Sequence, residues 1–208
     1  MPSARPGAPR AAHLGPERRR PQVLDAALDI AVSDGLTAVT IGGIAQRLGV
    51  TRPVVYACFA DRVEILDALL RREAEVVTAS LVAALHASGT GDDPEAVFVQ
   101  GFRELLAAVD EHEATWRLMM TSALPDPAVA ALYADARAAV QRAATDWIAP
   151  AMRHWWSTED LERKLPVLID LFMASCESAI RSYLVGGWTS AELGDLVGRA
   201  TYRAFAGA

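Results

Sequence analysis

A short segment of this chain, TRPVVYA at residues 51–57, carries side chains suited to recognition rather than to catalysis. The guanidinium of Arg52 can donate two hydrogen bonds to the O6 and N7 atoms of guanine, and Pro53 or Val54 can contact a thymine methyl group. Tyr56 can donate a hydrogen bond to a phosphate. The segment therefore predicts contact with the major groove of double-stranded DNA.

Two short helices that meet at a glycine are expected to position this segment. The apolar residues of the first helix have helical spacing: Ile41, Ile44, Ala45 and Leu48. Gly49 supplies the backbone freedom for a tight turn, and Thr40 and Thr51 stand where each helix should begin. There the backbone N–H groups would also point at phosphates. The pattern predicts a helix-turn-helix, although a helical corner of this kind also occurs in ordinary helix bundles.

Start and stop signals divide the rest of the chain into helices as well. Besides the two short helices, the signals predict helices over residues 21–33, 61–88, 93–110, 113–123, from 126 onward, from 157 or 158 to 185, and 189–205. Pro21 is placed in a first turn, Pro150 is expected to kink or shorten its helix, and Thr189 with Glu192 forms a capping box. No segment alternates with period two, so an all-α fold of about nine helices is predicted.

Composition and charge narrow the class of protein. Apolar residues make up 52% of the 208 and charged residues 22%, which is typical of a globular protein. Residues 1–72 carry ten arginines against seven acidic residues, whereas residues 73–208 carry ten basic residues against nineteen acidic ones. The two parts are therefore expected to face different partners. With no signal peptide or membrane span in the pattern, we expect a cytoplasmic protein.

Residues able to do covalent or metal chemistry are few and scattered. Cys58 and Cys176 both lie in apolar surroundings and are expected to be buried reduced thiols. The four histidines are far apart, and neither an H-E-x-x-H motif, a G-x-S-x-G motif nor a Gly-rich phosphate loop occurs. No catalytic residue, cofactor or metal site is predicted. The alternative is a helical enzyme or small-molecule-binding protein that merely contains a helical corner.

Residues 20–66, RPQVLDAALDIAVSDGLTAVTIGGIAQRLGVTRPVVYACFADRVEIL, closely resemble the N-terminal domain of the tetracycline-repressor-like (TetR) regulators. The matching positions are Arg20, Val23, Leu24, Ala27, Gly35, Thr40, Ile44, Ala45, Leu48, Gly49, Val50, Thr51, Tyr56, Phe59, Arg62 and Leu66. The resemblance implies a three-helix DNA-binding domain over residues 20–66 that extends into a connecting helix to about residue 88. It further implies a ligand-binding and dimerisation domain over residues 92–208, and repression relieved by a small molecule.

Several positions depart from the family pattern. Cys58 stands where relatives usually carry His or Tyr, and Arg62 where they often carry Lys, so Arg62 is assigned as a changed phosphate contact. Gly42 and Gly43 stand where relatives often place long polar side chains, which indicates either sequence drift or close approach of the helix to the DNA backbone. Residues 1–19 are predicted to be a disordered basic arm, and the run Arg18, Arg19 and Arg20 to neutralise phosphates or enter a minor groove. A solvated, frayed terminus is the alternative for this run.

All five tryptophans and most of the large soft side chains lie in the second half of the chain. Met and Trp line sites that accept bulky apolar molecules, although any one of these residues can also serve as plain core. The residues predicted to bind an apolar or aromatic effector are Trp116, Met119, Met120, Trp147, Phe172, Met173, Cys176 and Glu177. Glu177 or Asp146 would supply a polar anchor, and surface exposure is the alternative for both.

The helix over residues 157–185 has a second face of mostly small side chains, beside which the last helix is expected to lie. In TetR-like proteins the last two helices of each subunit form a four-helix dimer interface, and pairing within one subunit is the alternative. The predicted interface residues are Leu168, Leu171, Ser175, Ser178, Ser182, Leu193, Val197, Ala200 and Ala204. The sequence thus predicts a homodimeric, ligand-responsive repressor of a palindromic operator in double-stranded DNA.

Overall fold

Every regular element in the described part of the chain is helical, which confirms the predicted all-α fold. The computed structural model describes residues 15–87, 89, 91–120, 127–156 and 158–208, and for residues 127–129, 132, 133 and 136 it describes the backbone alone. The α-helices are α1 (Pro16–Asp34), α2 (Ile41–Leu48), α3 (Arg52–Tyr56), α4 (Arg62–Ala87), α5 (Pro94–Glu111), α6 (Glu113–Met119), α7 (Pro127–Trp155), α8 (Leu161–Val185) and α9 (Ser190–Ala206). A single 3₁₀ turn, Leu36–Ala38, follows α1.

Helix α1 begins five residues earlier than predicted, at Pro16 instead of Pro21. The backbone N–H groups of Arg18 and Arg19 donate to the carbonyl oxygen of Gly15, at 3.1 Å and 3.2 Å, and so close the first turn. Pro21 then lies inside the helix. Residues 16–19 are therefore helical rather than disordered, and the rest of the predicted arm, residues 1–14, lies outside the described residues.

Two later helix boundaries also differ from the predictions. Helix α7 continues through Pro150 to Trp155, so the proline does not shorten it. Helix α8 begins at Leu161 and not at Thr158, because the backbone of Asp160 is left-handed (φ 52°), a conformation that a right-handed helix cannot contain. The predicted last turn of α6, residues 121–123, lies outside the described residues, as does the alternative α8 start at Ser157.

The sequence-predicted caps of three helices are present. The side chain of Thr40 accepts from the N–H of Gly43 at 3.0 Å, and that of Asp93 accepts from the N–H of Ala96 at 3.2 Å. Thr189 and Glu192 form the reciprocal capping box of α9. Each such bond satisfies a backbone donor that would otherwise have no partner at the start of a helix.

The chain divides into two compact units, one ending at Ile65 and one beginning at Leu66, and α4 runs from the first into the second. In the N-terminal unit α2 contacts both α1 and α3. Its buried core is apolar and includes Val23, Ala27, Ile30, Ile44, Val55 and Phe59. Burial of these side chains stabilises the packing of α1, α2 and α3, without a metal site or disulfide among the described residues.

In the C-terminal unit, α5 and α9 make the closest helix pair. Two glycines of α9 face α5 directly: a Cβ added at Gly198 would lie 2.6 Å from the Cα of Val99, and one at Gly194 would lie 3.0 Å from the Cα of Arg103. Real carbon atoms in van der Waals contact are about 3.5–4.0 Å apart, so only glycine fits at this separation. Within the described residues, none of the helices is both long and apolar enough to cross a membrane.

Candidate functional site

The corner between α2 and α3 is built on one left-handed glycine. Gly49 has φ 64° and ψ 32°, a conformation that other residues seldom adopt, and Val50 donates from its N–H to the carbonyl of Ala45 at 2.9 Å. Thr51 precedes α3, is exposed, and makes no capping hydrogen bond with its hydroxyl. That hydroxyl is therefore available to an outside partner, unlike the hydroxyl of Thr40, which caps α2.

Helix α3 presents a mixed polar and apolar surface. Arg52, Pro53 and Tyr56 are exposed, with Tyr56 at 53%, and Val54 is half-buried. Val55 is buried and fixes the inner face of the helix. The side chains predicted to contact DNA thus lie on the outer side of α3.

The guanidinium of Arg52 lies against the first turn of α2. A Cβ added at Gly42 would be 3.0 Å from Nη2 and 3.3 Å from Nε of Arg52. The missing side chain at Gly42 therefore makes room for the arginine, an explanation that differs from both alternatives drawn from the sequence. At Gly43 an added Cβ would lie 3.2 Å from Oγ1 of Thr40, so that glycine spares the cap of α2.

Arg20, one of the predicted DNA contacts, has partners within the N-terminal unit. Its Nη1 donates to the carbonyl oxygen of Cys58 at 2.5 Å, and its Nη2 lies 3.3 Å from Oε1 of Glu64. The guanidinium also stacks over the ring of Phe59, 4.0 Å from the ring centre. With a carbonyl, a carboxylate and a ring as partners, Arg20 ties the start of α1 to the end of the α3 segment and to α4.

Arg62, also predicted to contact DNA, donates to two backbone carbonyl groups. Its Nε donates to the carbonyl of Val39 at 2.6 Å, and its Nη2 donates to the carbonyl of Leu36 at 2.7 Å. The side chain thus fixes the 3₁₀ turn before α2, and its contact with a phosphate stays a prediction. Of the remaining predicted arginines, Arg18 is exposed and Arg19 half-buried in the first turn of α1.

Both cysteines are free and buried. Burial raises the pKa of the Cys58 thiol, against the lowering effect of the nearby Arg19 and Arg20. Burial raises the pKa of Cys176 to about 12. Both groups are therefore protonated near neutral pH, as expected for thiols that pack rather than react.

The C-terminal unit contains an apolar cavity of about 380 Å³. Small-molecule sites typically measure about 300–1,000 Å³ and are lined mainly by apolar side chains. Helices α4, α5, α6, α7 and α8 all contribute to its wall, so the cavity involves two helices more than the sequence indicated. The structure brings all eight predicted effector-binding residues to this wall: Trp116, Met119, Met120, Trp147, Phe172, Met173, Cys176 and Glu177. Asp146, the other anchor considered, is exposed and does not line it.

Sequence reasoning missed the α4 and α5 side of the cavity. Leu81, Phe98, Phe102 and Leu105 also line it, and the rings of Phe102 and Phe172 lie 5.9 Å apart between their centres. Leucine and phenylalanine on an amphipathic helix are ordinary core residues, so their types carried no signal of a cavity.

A buried polar contact joins α4 to α6 beside the cavity. Glu73 is 2% exposed and Thr115 is 5% exposed, and the Thr115 hydroxyl donates to Oε2 of Glu73 at 2.5 Å. Nε of Arg72 lies 2.7 Å from the other carboxylate oxygen. Because Trp116 follows Thr115 and lines the cavity, this contact fixes one wall of the cavity to α4.

The predicted dimer residues divide between the core and the surface of the C-terminal unit. Leu168 and Leu193 are buried at 6% and 3% exposure within the single chain, which corrects their assignment to an interface. Leu171, Ser178, Ala200 and Ala204 are exposed, and Ser175, Ser182 and Val197 are half-buried. The large exposed apolar side chains on and beside these two helices that the prediction omitted are Val167, Val185, Trp188 and Leu196.

The exposed apolar and small side chains of α8 lie on one side of the helix, which they share with the exposed charged residues Asp170 and Arg181. Val167, Leu171, Ala174, Ser178 and Val185 follow one another at intervals of three, four or seven residues, which places them on one side of a helix. Val167 and Val185 are 69% and 88% exposed. These side chains, continued on α9 by Leu196 and Ala200, are called the α8–α9 face below.

Comparison with known proteins decides the class. Residues 23–69 match the family model described as bacterial regulatory proteins, tetR family. Residues 23–69 are thus a DNA-binding domain of the TetR family. The match covers the helix-turn-helix, so this TetR-family chain is a DNA-binding transcriptional regulator.

Individual relatives of this TetR-family regulator agree. It is 30% identical over 105 residues to the transcriptional regulator SrpR of Pseudomonas putida, covering 42% of this chain and 49% of SrpR. It is 29% identical over 141 residues to the transcriptional activator FasR of Mycolicibacterium smegmatis, covering 67% of this chain and 63% of FasR. The matches thus span about half to two thirds of these relatives. The similar proteins are regulators and not enzymes.

The whole TetR-like fold also recurs in solved structures. A TetR-family regulator from Mesorhizobium loti superposes with a TM-score of 0.71 over 94% of this chain and 98% of that chain, at 16% identity. At that identity the similarity concerns the fold alone.

Proposed function

We propose that this regulator represses transcription by binding a palindromic operator as a homodimer, and that a small apolar molecule in the C-terminal cavity releases it. The observation that carries the proposal is the cavity itself. It has the size and apolar lining of a small-molecule site, within the same chain as a helix-turn-helix.

The DNA-binding half of the proposal rests on α3. Arg52 would contact a guanine, with Pro53 and Val54 beside a thymine methyl and Tyr56 on a phosphate. The guanidinium of Arg52 lies beside Gly42, so its present position depends on the absence of a side chain there.

The dimer half of the proposal rests on the α8–α9 face. Several large apolar side chains exposed on one face, Val167, Leu171, Val185 and Leu196, are unusual on a surface that only meets water, and a two-fold partner would cover them with an identical face. A dimer presents two copies of α3, and a two-fold symmetric reader requires a two-fold symmetric operator.

Release would follow from differential binding. A molecule that binds 100-fold more tightly to the dimer state that does not fit the operator shifts the equilibrium by about 2.7 kcal/mol. That shift is enough to empty an operator that is only modestly saturated.

The test is fluorescence polarisation with the DNA upstream of the regulator's own gene, titrated with and without apolar aromatic compounds. We expect nanomolar binding, loss of binding when a compound quenches tryptophan fluorescence, and no release of the Trp116→Ala or Phe172→Ala variants. Arg52→Ala should weaken operator binding by about 5- to 150-fold with lost selectivity at one base per half-site. Binding of the wild type that no apolar compound alters would refute the ligand part of the proposal.

Oligomeric state and sign of regulation are tested separately. Ser178→Arg places a charge in the middle of the α8–α9 face and should give monomers in sedimentation, whereas Ala79→Arg, exposed on α4, should not. A reporter gene behind the operator distinguishes repression from activation, which matters because FasR is named an activator. A protein that binds compounds but no DNA would instead be the alternative small-molecule-binding protein.

A further inference from the structure

One side of the apolar cavity carries a cluster of three charged residues. In the described part of the chain, the charged side chains that line the cavity are Arg137 of α7 and Glu177 and Arg181 of α8, and the other lining residues are apolar. Nη1 of Arg137 pairs with Oε1 of Glu177, and Nη1 of Arg181 lies 3.8 Å from Oε2 of the same carboxylate. Two guanidinium groups therefore share one carboxylate.

The charge of this cluster is positive by one unit. Arg137 sits in direct contact with Glu177 and neutralises it, whereas Arg181 stands at the outer limit of an ion pair. Both arginine side chains are about half exposed, at 53% and 56%, and Glu177 is 29% exposed. The cluster thus lies where the cavity reaches solvent, with the apolar walls behind it.

We propose that the effector is an amphipathic anion, whose carboxylate or similar group binds Arg181 and Arg137 while its apolar body fills the cavity. This inference rests on the proposed function of the cavity as an effector site. An arginine fork matches the two oxygens of a carboxylate, so an anionic head group converts the surplus charge into paired hydrogen bonds.

The same geometry disfavours a cationic effector. A cation would have to take Glu177 from Arg137, and that would leave two unpaired guanidinium groups beside the ligand. A neutral molecule would gain the apolar contacts and leave the cluster unchanged. The expected order of affinity is therefore anion, then neutral molecule, then cation.

The experiment compares three probes that share one tail: decanoate, 1-decanol and decyltrimethylammonium. A second series, 2-naphthoate and 2-naphthalenemethanol, repeats the first two head groups on a flat aromatic body. Binding to the full-length protein is measured by calorimetry and tryptophan fluorescence at several salt concentrations. We expect the anion to bind about ten-fold more tightly than the alcohol, and its affinity alone to fall with added salt, because exposed charges are screened.

Three variants assign the effect to the cluster. Arg181→Gln should weaken the anion about ten-fold and leave the alcohol unchanged, whereas Arg163→Gln, which removes the same charge from an exposed part of α8, should change neither. Glu177→Gln frees both arginines and should strengthen anion binding. If Glu177→Gln instead abolishes binding of the cationic probe and the wild type prefers that probe, the head-group inference is overturned.

The outcomes separate this inference from the proposed function. If the alcohols bind and release DNA as well as the anions do, and Arg181→Gln has no effect, the cavity is an effector site but the anion inference is wrong. If no probe of either series binds, both the inference and the effector site fail.

Discussion

The substitution Gly198→Ala tests the close packing of α9 against α5. The added methyl carbon would lie 2.6 Å from the Cα, 2.9 Å from the N of Val99 and 3.0 Å from the carbonyl oxygen of Phe98. All three are backbone atoms, so no side-chain rotation relieves the overlap. Helix α9 would have to move away from α5 by about 1 Å to restore ordinary contact distances of about 3.5–4.0 Å.

Two opposing terms set the size of the effect. Overpacking a tight interface typically costs about 1–3 kcal/mol, and the upper end applies here because only backbone can yield. Alanine is about 1 kcal/mol better than glycine inside a helix, which offsets part of that loss. We therefore expect the free energy of unfolding of the C-terminal unit to fall by about 2 kcal/mol. For a chain of this length, that lowers the melting temperature by about 4–8 °C.

Thermal unfolding followed by tryptophan fluorescence is the assay, because all five tryptophans lie in the C-terminal unit. Protein concentration is held fixed, since dimerisation would make the melting temperature depend on it. At Gly194 the nearest atom to an added Cβ is Cγ of Arg103, and the Cα and N atoms of Arg103 are 3.0 Å away. Because the Arg103 side chain can move, Gly194→Ala should lower the free energy of unfolding by less than Gly198→Ala does. At Gly207 the nearest atom is 3.4 Å away, so Gly207→Ala is the matched control. A Gly198→Ala protein whose melting temperature equals or exceeds that of the control would show that α9 and α5 are not packed this closely.

Three further substitutions test other contacts. Thr115→Val removes the hydroxyl that donates to buried Glu73, and should lower the free energy of unfolding measured in urea by about 1–3 kcal/mol. An unchanged urea concentration at the unfolding midpoint would contradict this hydrogen bond. Arg20→Met removes the contacts of Arg20 with Cys58, Glu64 and Phe59, and should lower the free energy of unfolding of the N-terminal unit by about 1–2 kcal/mol, as followed by circular dichroism. Loss of DNA affinity with no change in that free energy would instead support the role of Arg20 as a DNA contact. Gly42→Ala should stabilise α2, but the added methyl group should displace the Arg52 guanidinium and weaken operator binding. An unchanged affinity for the operator would show that Arg52 binds DNA without this position beside Gly42.

The apolar cavity of the C-terminal unit illustrates what could be predicted from the sequence. Two groups of lining residues each lie within about one helical turn: Trp116, Met119 and Met120 in one, and Phe172, Met173 and Cys176 in the other. The helical spacing in the sequence was therefore enough to predict that the members of each group share one face. Their soft, bulky types then favoured a cavity over a tight core. The leucines and phenylalanines that α4 and α5 contribute to the lining are ordinary core residues, so their types do not indicate a cavity.

The partners of charged groups could not be predicted. Arg20 finds Cys58 and Glu64, which are 38 and 44 positions away, and a lone sequence gives the charge of Arg20 but not its neighbours. Arg62 likewise binds carbonyl groups, which every residue possesses. The dimer assignments at Leu168 and Leu193 failed for a related reason, since both residues border the core face and only the packing of neighbouring helices decides their burial.

The tight contact of α9 was within reach of sequence reasoning. Gly194 and Gly198 are four residues apart in the middle of a helix, where each glycine costs about 1 kcal/mol relative to alanine. Two glycines on one side of a helix are typical of a close neighbour, because the absence of Cβ atoms lets the backbone of another helix approach. What the pattern does not contain is the identity of the neighbour, α5.

The two buried thiols give the chain a separate chemical reporter for each unit. Cys58 lies in the N-terminal unit and Cys176 in the C-terminal unit, and both are 5% exposed. A thiol reagent can modify either cysteine only when the surrounding structure opens, so the rate at each site measures the opening free energy of its own unit. A molecule bound in the cavity, whose wall includes Cys176, should slow labelling there directly. Any accompanying change in the labelling rate of Cys58 would then measure the free energy that couples the two units, in a single experiment without DNA.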